Sequence, residues 1–249
     1  NNNDRIDYIN IQSQGNSIRF GSLTANRYTL GAGANSTRGL FTGGYVEGNS
    51  PDTDVNIIEF ITIATEGNST DFGDRVQVGR LPACASNDTR CVMASAKTGA
   101  GNQSTIDVVQ FATTGNATTF GTLTSKRASM AMSCNSTTRG IFNGGYQPSP
   151  VNAFINTIEF VTIATEGNGT DFGDLTANRK GNTGMSSPVR GIFAGDQNDY
   201  NTTSAEFITI ASKGNAIDFG ELDDSRSNAG SASNGVRGIV AGGYNGGSR

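Results

Sequence analysis

One phrase, repeated at even spacing, constrains this chain more than its composition does. Arg-Gly-(Leu/Ile)-(Phe/Val) stands at Arg38, Arg139, Arg190 and Arg237, with a degraded copy at Arg90-Cys91-Val92-Met93. Gly-Asn pairs recur at Gly15-Asn16, Gly67-Asn68, Gly115-Asn116, Gly167-Asn168 and Gly214-Asn215, each with Phe-Gly a few residues on. The period is roughly 50 residues, within the range of propellers, solenoids and arrays. Length alone allows one large domain or two small ones. The copies run from end to end without a linker, so residues 1–249 read as a single domain.

One copy shows the strands. Arg38 to Tyr45 is a short apolar run ending in Gly43-Gly44, and a loop of irregular composition follows to Val55. Ile57 to Ala64 is rich in β-branched and aromatic residues, as a strand is. Gly67-Asn68 supplies a turn, since both residues tolerate positive φ. Asp71-Phe72-Gly73-Asp74 begins a fourth strand, and Arg80 leads into the small residues Ala83 to Ser86 and back to Arg90. No helical periodicity appears. Four strands per copy predict an all-β, five-bladed β-propeller with four antiparallel strands per blade. The strand entering each Arg-Gly phrase is poor in bulk, for example Leu30-Gly31-Ala32-Gly33-Ala34, and is expected beside the central channel. The chain opens on a third strand and stops after a second. Residues 5–24 are therefore expected to complete the blade begun by 226–244, closing the ring and removing sheet edges. The start Asn1-Asn2-Asn3, without Met, reads as a processed product or part of something longer.

The repeat unit resembles the kelch repeat across the whole chain. A glycine pair ends the second strand (Gly43-Gly44), an acid and an aromatic stand on the third (Glu59-Phe60), a bulky aromatic precedes the fourth (Phe72), and an arginine comes later (Arg80). It departs from that pattern at Phe20, Phe72, Phe120, Phe172 and Phe219, where kelch repeats usually have Trp. The wording from Ile158 to Thr176 is similar to kelch-like repeats of tailed phages of aquatic bacteria. That resemblance implies a virion structural or tail-associated protein, virion-borne or extracellular, within a larger assembly. Its implied partners are other virion or surface proteins, with a host-surface glycan as a further candidate.

Several chemistries are disfavoured. The chain has no His, which removes Ser-His-Asp and Cys-His catalysis and the commonest metal ligand. No enzyme activity, catalytic residue, cofactor or metal is expected. Net charge is −4, so no global field draws nucleic acid or an anionic membrane. No apolar stretch reaches membrane-span length, and membrane insertion is not expected. The arginine sets Arg27, Arg80, Arg127, Arg179, Arg226 and Arg38, Arg90, Arg139, Arg190, Arg237, with the acids Asp7, Glu59, Asp107, Glu159 and Glu206, recur as blade structure: guanidinium forks on carboxylates or strand-end carbonyls. The functional alternative is a ring of anion-binding arginines. Paired acids (Asp71/Asp74, Asp171/Asp174, Asp218/Glu221) and Asp196 to Asp199 read as turn residues rather than a Ca²⁺ loop. Cys84 and Cys91 flank a turn and read either as a cross-strand disulfide or as two small thiols. The Asn-x-(Ser/Thr) sequons follow from an Asn-rich composition.

Function is expected where copies differ, in the loops after the glycine pairs. Their candidate binding residues are Tyr45, Asp52, Asp54, Tyr146, Phe154, Asp196, Asp199, Tyr200 and Tyr244. Two functions compete: a non-enzymatic propeller for assembly or host-surface attachment, and a carbohydrate-binding, lectin-like propeller with an aromatic platform on each blade.

Overall fold

Strands placed by the repeat form a series of antiparallel sheets in the computed structural model, which describes residues 4–46, 53–130, 134–196 and 202–245. No helix occurs among them. The first unit joins Gly31–Ala34, Arg38–Thr42, Ile57–Thr62 and Thr70–Asp74 in chain order. The second joins Ala83–Ser86, Arg90–Ala94, Thr105–Gln110 and Thr118–Thr122. The third is built on Cys134–Asn135, Arg139–Asn143, Ala153–Thr162 and Thr170–Arg179, and the fourth on Thr183–Ser186, Arg190–Ala194, Ser204–Thr209 and Ile217–Glu221. An N-terminal hairpin (Arg5–Tyr8 with Ile18–Ser22) and a C-terminal hairpin (Gly230–Ser233 with Gly238–Ala241) stand as separate two-stranded sheets.

Register repeats from unit to unit. Phe41 faces Glu59, Met93 faces Asp107, Phe142 faces Glu159 and Phe193 faces Glu206. Third and fourth strands slip register just before the acid: at Ile58/Glu59, Ile106/Asp107, Ile158/Glu159, Ala205/Glu206 and also Ile6/Asp7. Such a bulge re-aims a side chain. It turns Glu59, Asp107, Glu159 and Glu206 into the interior, where they are buried.

Apolar cores lie between successive units. Leu40, Ile58 and Phe72 of the first pack with Met93, Val109 and Phe111 of the second. Val92, Ile106 and Phe120 of the second meet Phe142 and Val161 of the third, and Ile141, Ile158 and Phe172 of the third meet Phe193 and Ile208 of the fourth. The N-terminal hairpin offers Ile6, Phe20 and Leu23 to Leu30, Phe41 and Ile61 of the first unit, which are only partly buried.

The Gly-Asn turn makes each junction. Gly67, Gly115, Gly167 and Gly214 donate their N–H to Phe20, Phe72, Phe120 and Phe172 of the preceding unit, at 3.0, 2.7, 3.0 and 2.9 Å. The neighbouring Asn Oδ1 accepts from the same fourth strand: Asn68 from Ser22, Asn116 from Asp74, Asn168 from Thr122 and Asn215 from Asp174, each at 3.0 Å. The backbones approach so closely that a Cβ on Gly73 would fall on the Gly115 carbonyl.

The expected composite blade is absent from this arrangement. No ladder joins Arg5–Tyr8 to Gly238–Ala241. Arg237 Nη1 instead reaches the Ile11 and Gln12 carbonyls, at 3.4 and 3.1 Å. Between whole units the equivalent contact links one unit to the next: Arg38 to Phe111, Arg90 to Ala164 and Arg139 to Ile210. The N-terminal hairpin therefore sits one place beyond the C-terminal one.

Candidate binding surface

The loops after the glycine pairs fold back on the segments that enter each first strand. Tyr45–Val46 pairs with Arg27–Tyr28 and with Thr53–Asp54. Tyr146–Gln147 pairs with Ala153 and Phe154, and Tyr146 also bridges Ala128. Tyr244 bridges Ser227. The glycine pair makes the fold-back: Gly43 and Gly44 have φ of +62° and +108°, and Gly144 and Gly145 of +57° and +100°. In the degraded second copy Ser95 takes this conformation at φ +64°, and its hydroxyl donates to the Gln103 and Arg127 carbonyls.

Two aromatic–cation groups result. The Tyr28 and Tyr45 rings meet edge to face at 5.4 Å. The Arg80 guanidinium lies 4.5 Å from the Tyr45 centroid, with Asp54 at 3.7 Å. In the third unit the Tyr146 and Phe154 rings are 5.8 Å apart, and Lys180 Nζ is 4.2 Å from the Phe154 centroid. Such cation–π contacts are worth about 0.5–1 kcal/mol at exposed sites, so they order these loops only modestly. Asp196 is buried and accepts from the Lys180 N–H at 3.1 Å. Asp52, Asp199 and Tyr200 lie outside the described residues.

The recurring charges are part of the construction. Arg27–Glu59 and Arg127–Glu159 pair at 2.8 Å, and Arg179–Glu206 at 2.9 Å, all buried. Thr124 caps Glu159 through its N–H and hydroxyl at 3.0 and 2.7 Å, as Thr24 caps Glu59. Burial pushes the Arg27 and Arg127 guanidinium pKa values down against the pull of their carboxylates. Arg80 does not take the expected place in this series. Arg75 does, 3.0 Å from Asp107, because the shorter aspartate is met from the end of the preceding fourth strand. Burial raises the Asp107 pKa, and Arg75 opposes that rise. The other arginine set binds carbonyls between units and stacks on rings: Arg38 on Phe60, Arg139 on Phe160 and Arg190 on Phe207.

The cysteine expectation is corrected on one side. Cys84, Cys91 and Cys134 are buried free thiols. Cys84 faces Met93 and Cys91 faces Ser86, so the first two are diagonal neighbours whose thiols touch without a bond between them. Burial raises the Cys134 thiol pKa far above its ordinary value. Among the described residues, no three acidic or cysteine side chains gather as a metal site.

Two larger cavities are seen among the described residues, besides a smaller one of about 240 Å³ at Phe72 and Gly115. One, of about 350 Å³, is lined by all five copies, through Leu30, Pro82, Met130, Asn182 and Asn228 among others. The other, of about 620 Å³, is an apolar cavity beside Arg5–Tyr8. Sequence reading missed Arg75, the threonine caps and the role of the Gly-Asn asparagine. The last had a visible signal, the constancy of Asn where glycine alone would serve a turn. Comparison with protein-family models and with curated protein sequences returns no match.

Proposed function

We propose that the chain is a five-bladed, kelch-like β-propeller that serves without catalysis as a virion component, assembling on a particle or mediating attachment to a host surface. The observation that carries the fold is the first cavity: small-residue segments of all five copies line it together. Four junctions of one design support the same reading, since a repeated unit-to-unit contact generates a ring when its rotation closes. The phage-like wording from Ile158 to Thr176 and the absence of His support a structural or binding role over catalysis.

Binding is assigned to the loops that follow the glycine pairs, where Tyr45 and Phe154 sit among cations. Aromatic side chains of this kind are frequent at protein contacts. The lectin-like alternative needs exposed platforms, and Phe20, Phe72, Phe120 and Phe172 are buried. Mass spectrometry and cryo-electron microscopy of purified particles test the proposal. The chain is expected in the particle at a fixed stoichiometry; absence from any particle or multimer refutes it. A glycan array tests the alternative.

A further inference from the structure

We propose that the second unit holds a binding site for one phenolic ring, at the place where the other units carry an aromatic side chain of their own. The position follows the acid of the third strand. It is Tyr8, Phe60, Phe160 and Phe207 in four copies, and Val108 in the degraded second copy. The phenylalanines are enclosed alike. Arg38, Arg139 and Arg190 lie over Phe60, Phe160 and Phe207, at 4.7, 4.6 and 4.9 Å from the ring centroids. Thr70 and Thr170 stand across the ladder from Phe60 and Phe160. The residue before the next Gly-Asn turn adds a further wall: Lys213 Nζ is 5.4 Å from the Phe160 centroid.

The second unit keeps this enclosure and lacks the ring. Arg90, Thr118 and Glu166 are the counterparts of Arg139, Thr170 and Lys213. All three line the cavity of about 240 Å³ together with Val108, and Phe72 also borders it. Thr118 is the cross-strand partner of Val108. A cavity of about 150 Å³ is enough for benzene, so one substituted ring fits here. Arg90 Nη1 donates to the Ile163 and Ala164 carbonyls at 3.4 and 3.0 Å, as Arg139 donates to Ile210 at 2.8 Å. The guanidinium is thereby held in the stacking position before any ring arrives, which favours an aromatic face beneath it.

The N-terminal hairpin shows which ring suits the site. Tyr8 stands at the same position, and its hydroxyl donates to Glu66 Oε1 at 3.0 Å. Glu66 precedes Gly67-Asn68 as Glu166 precedes Gly167-Asn168. The Glu166 carboxylate has no partner among the described residues. A phenol stacked on Arg90 in the Val108 cavity directs its hydroxyl at Glu166 and repeats the Tyr8–Glu66 bond. A plain phenyl ring forgoes that bond, and a benzoate meets a like charge. The ligand is therefore a neutral phenol, either a small free molecule or the tyrosine side chain of a partner chain. The site lies at the end of the third strand opposite the glycine-pair loops. It is separate from the surface proposed above and does not rest on a virion role.

The test is a nuclear magnetic resonance titration of the full chain with p-cresol, toluene and N-acetyltyrosinamide, read at the Val108 methyl groups. p-Cresol is expected to bind saturably, one per chain, with toluene roughly fivefold weaker for want of the hydrogen bond. N-acetyltyrosinamide, which carries a peptide group on each side of the residue, separates the two sources. Binding as tight as that of p-cresol assigns the site to a partner's tyrosine, and exclusion assigns it to a small phenol. Val108→Phe supplies the ring in cis; it is expected to abolish p-cresol binding and to raise the melting temperature. Glu166→Ala changes an exposed residue and leaves the core untouched. It is expected to weaken p-cresol roughly fivefold and to leave toluene unchanged. The proposal is overturned if wild type shows no saturable p-cresol binding, if p-cresol binds no tighter than toluene, or if either variant binds p-cresol as wild type does.

Discussion

Replacing Glu159 by Gln isolates the charge of a buried pair without changing its shape. Glu159 and Arg127 are both fully buried, 2.8 Å apart, and the carboxylate also holds the Thr124 N–H and hydroxyl. Gln keeps the volume and one acceptor oxygen, so no cavity opens. The loss is that of an uncompensated guanidinium in the interior, about 3–5 kcal/mol. A domain stable by about 5–15 kcal/mol loses about a fifth or more of that. With a urea slope of about 3 kcal/mol/M, the unfolding midpoint falls by about 1–1.7 M. The chain has no Trp, so tyrosine fluorescence and circular dichroism are the probes. The double variant Arg127→Met/Glu159→Leu removes both charges and is expected to recover most of the loss, since a packed apolar pair matches or exceeds a buried ion pair. A midpoint shift below about 0.3 M for Glu159→Gln, or a double variant no better than the single, refutes the reasoning.

Other junction and core positions give further predictions. Asn116→Ala removes the acceptor for the Asp74 N–H and is expected to cost about 1 kcal/mol, read as a lower melting temperature. Gly73→Ala places a Cβ on the Gly115 carbonyl at a residue with φ +144° and is expected to yield insoluble or strongly destabilised protein, whereas Ala at Gly99, which has open space, is tolerated. The raised Asp107 pKa favours the protonated form in the folded state. Its stabilising contribution is therefore complete below about pH 3.9 and declines as pH rises through the raised value. Urea midpoints between pH 3 and 6 should show the wild type losing stability relative to Asp107→Asn as pH rises; a flat difference refutes the assignment.

The strands were legible because each copy spells the same alternation and the same turns, so one misjudged boundary is corrected by four others. The acid on the third strand was legible as a recurrent charge, but its depth was not, since a bulge displaces it by one residue and a bulge leaves no mark in composition. Arg75 escaped because Leu23, Leu123, Leu175 and Leu222 fill its place in the other copies. Asn68, Asn116 and Asn168 looked like turn residues or sequons because their partners lie in the preceding unit, far away in sequence. The exposure of Phe219 was hidden for the converse reason: its sequence context matches that of Phe72, and only the missing neighbour sets the two apart.

The left-handed turn after each second strand, at Gly43, Ser95, Gly144, Gly195 and Gly242, has a consequence for how such a chain can change. It turns the chain out of the sheet before the variable loop begins, and the loop rejoins only at the third strand. The Gly-Asn clamps and the buried ion pairs all lie outside that excursion. Lengthening a loop therefore costs only closure entropy, which grows slowly with length, and leaves every unit-to-unit contact intact. The scaffold and its loops can therefore drift at different rates, and a loop can change without rebuilding the fold that presents it.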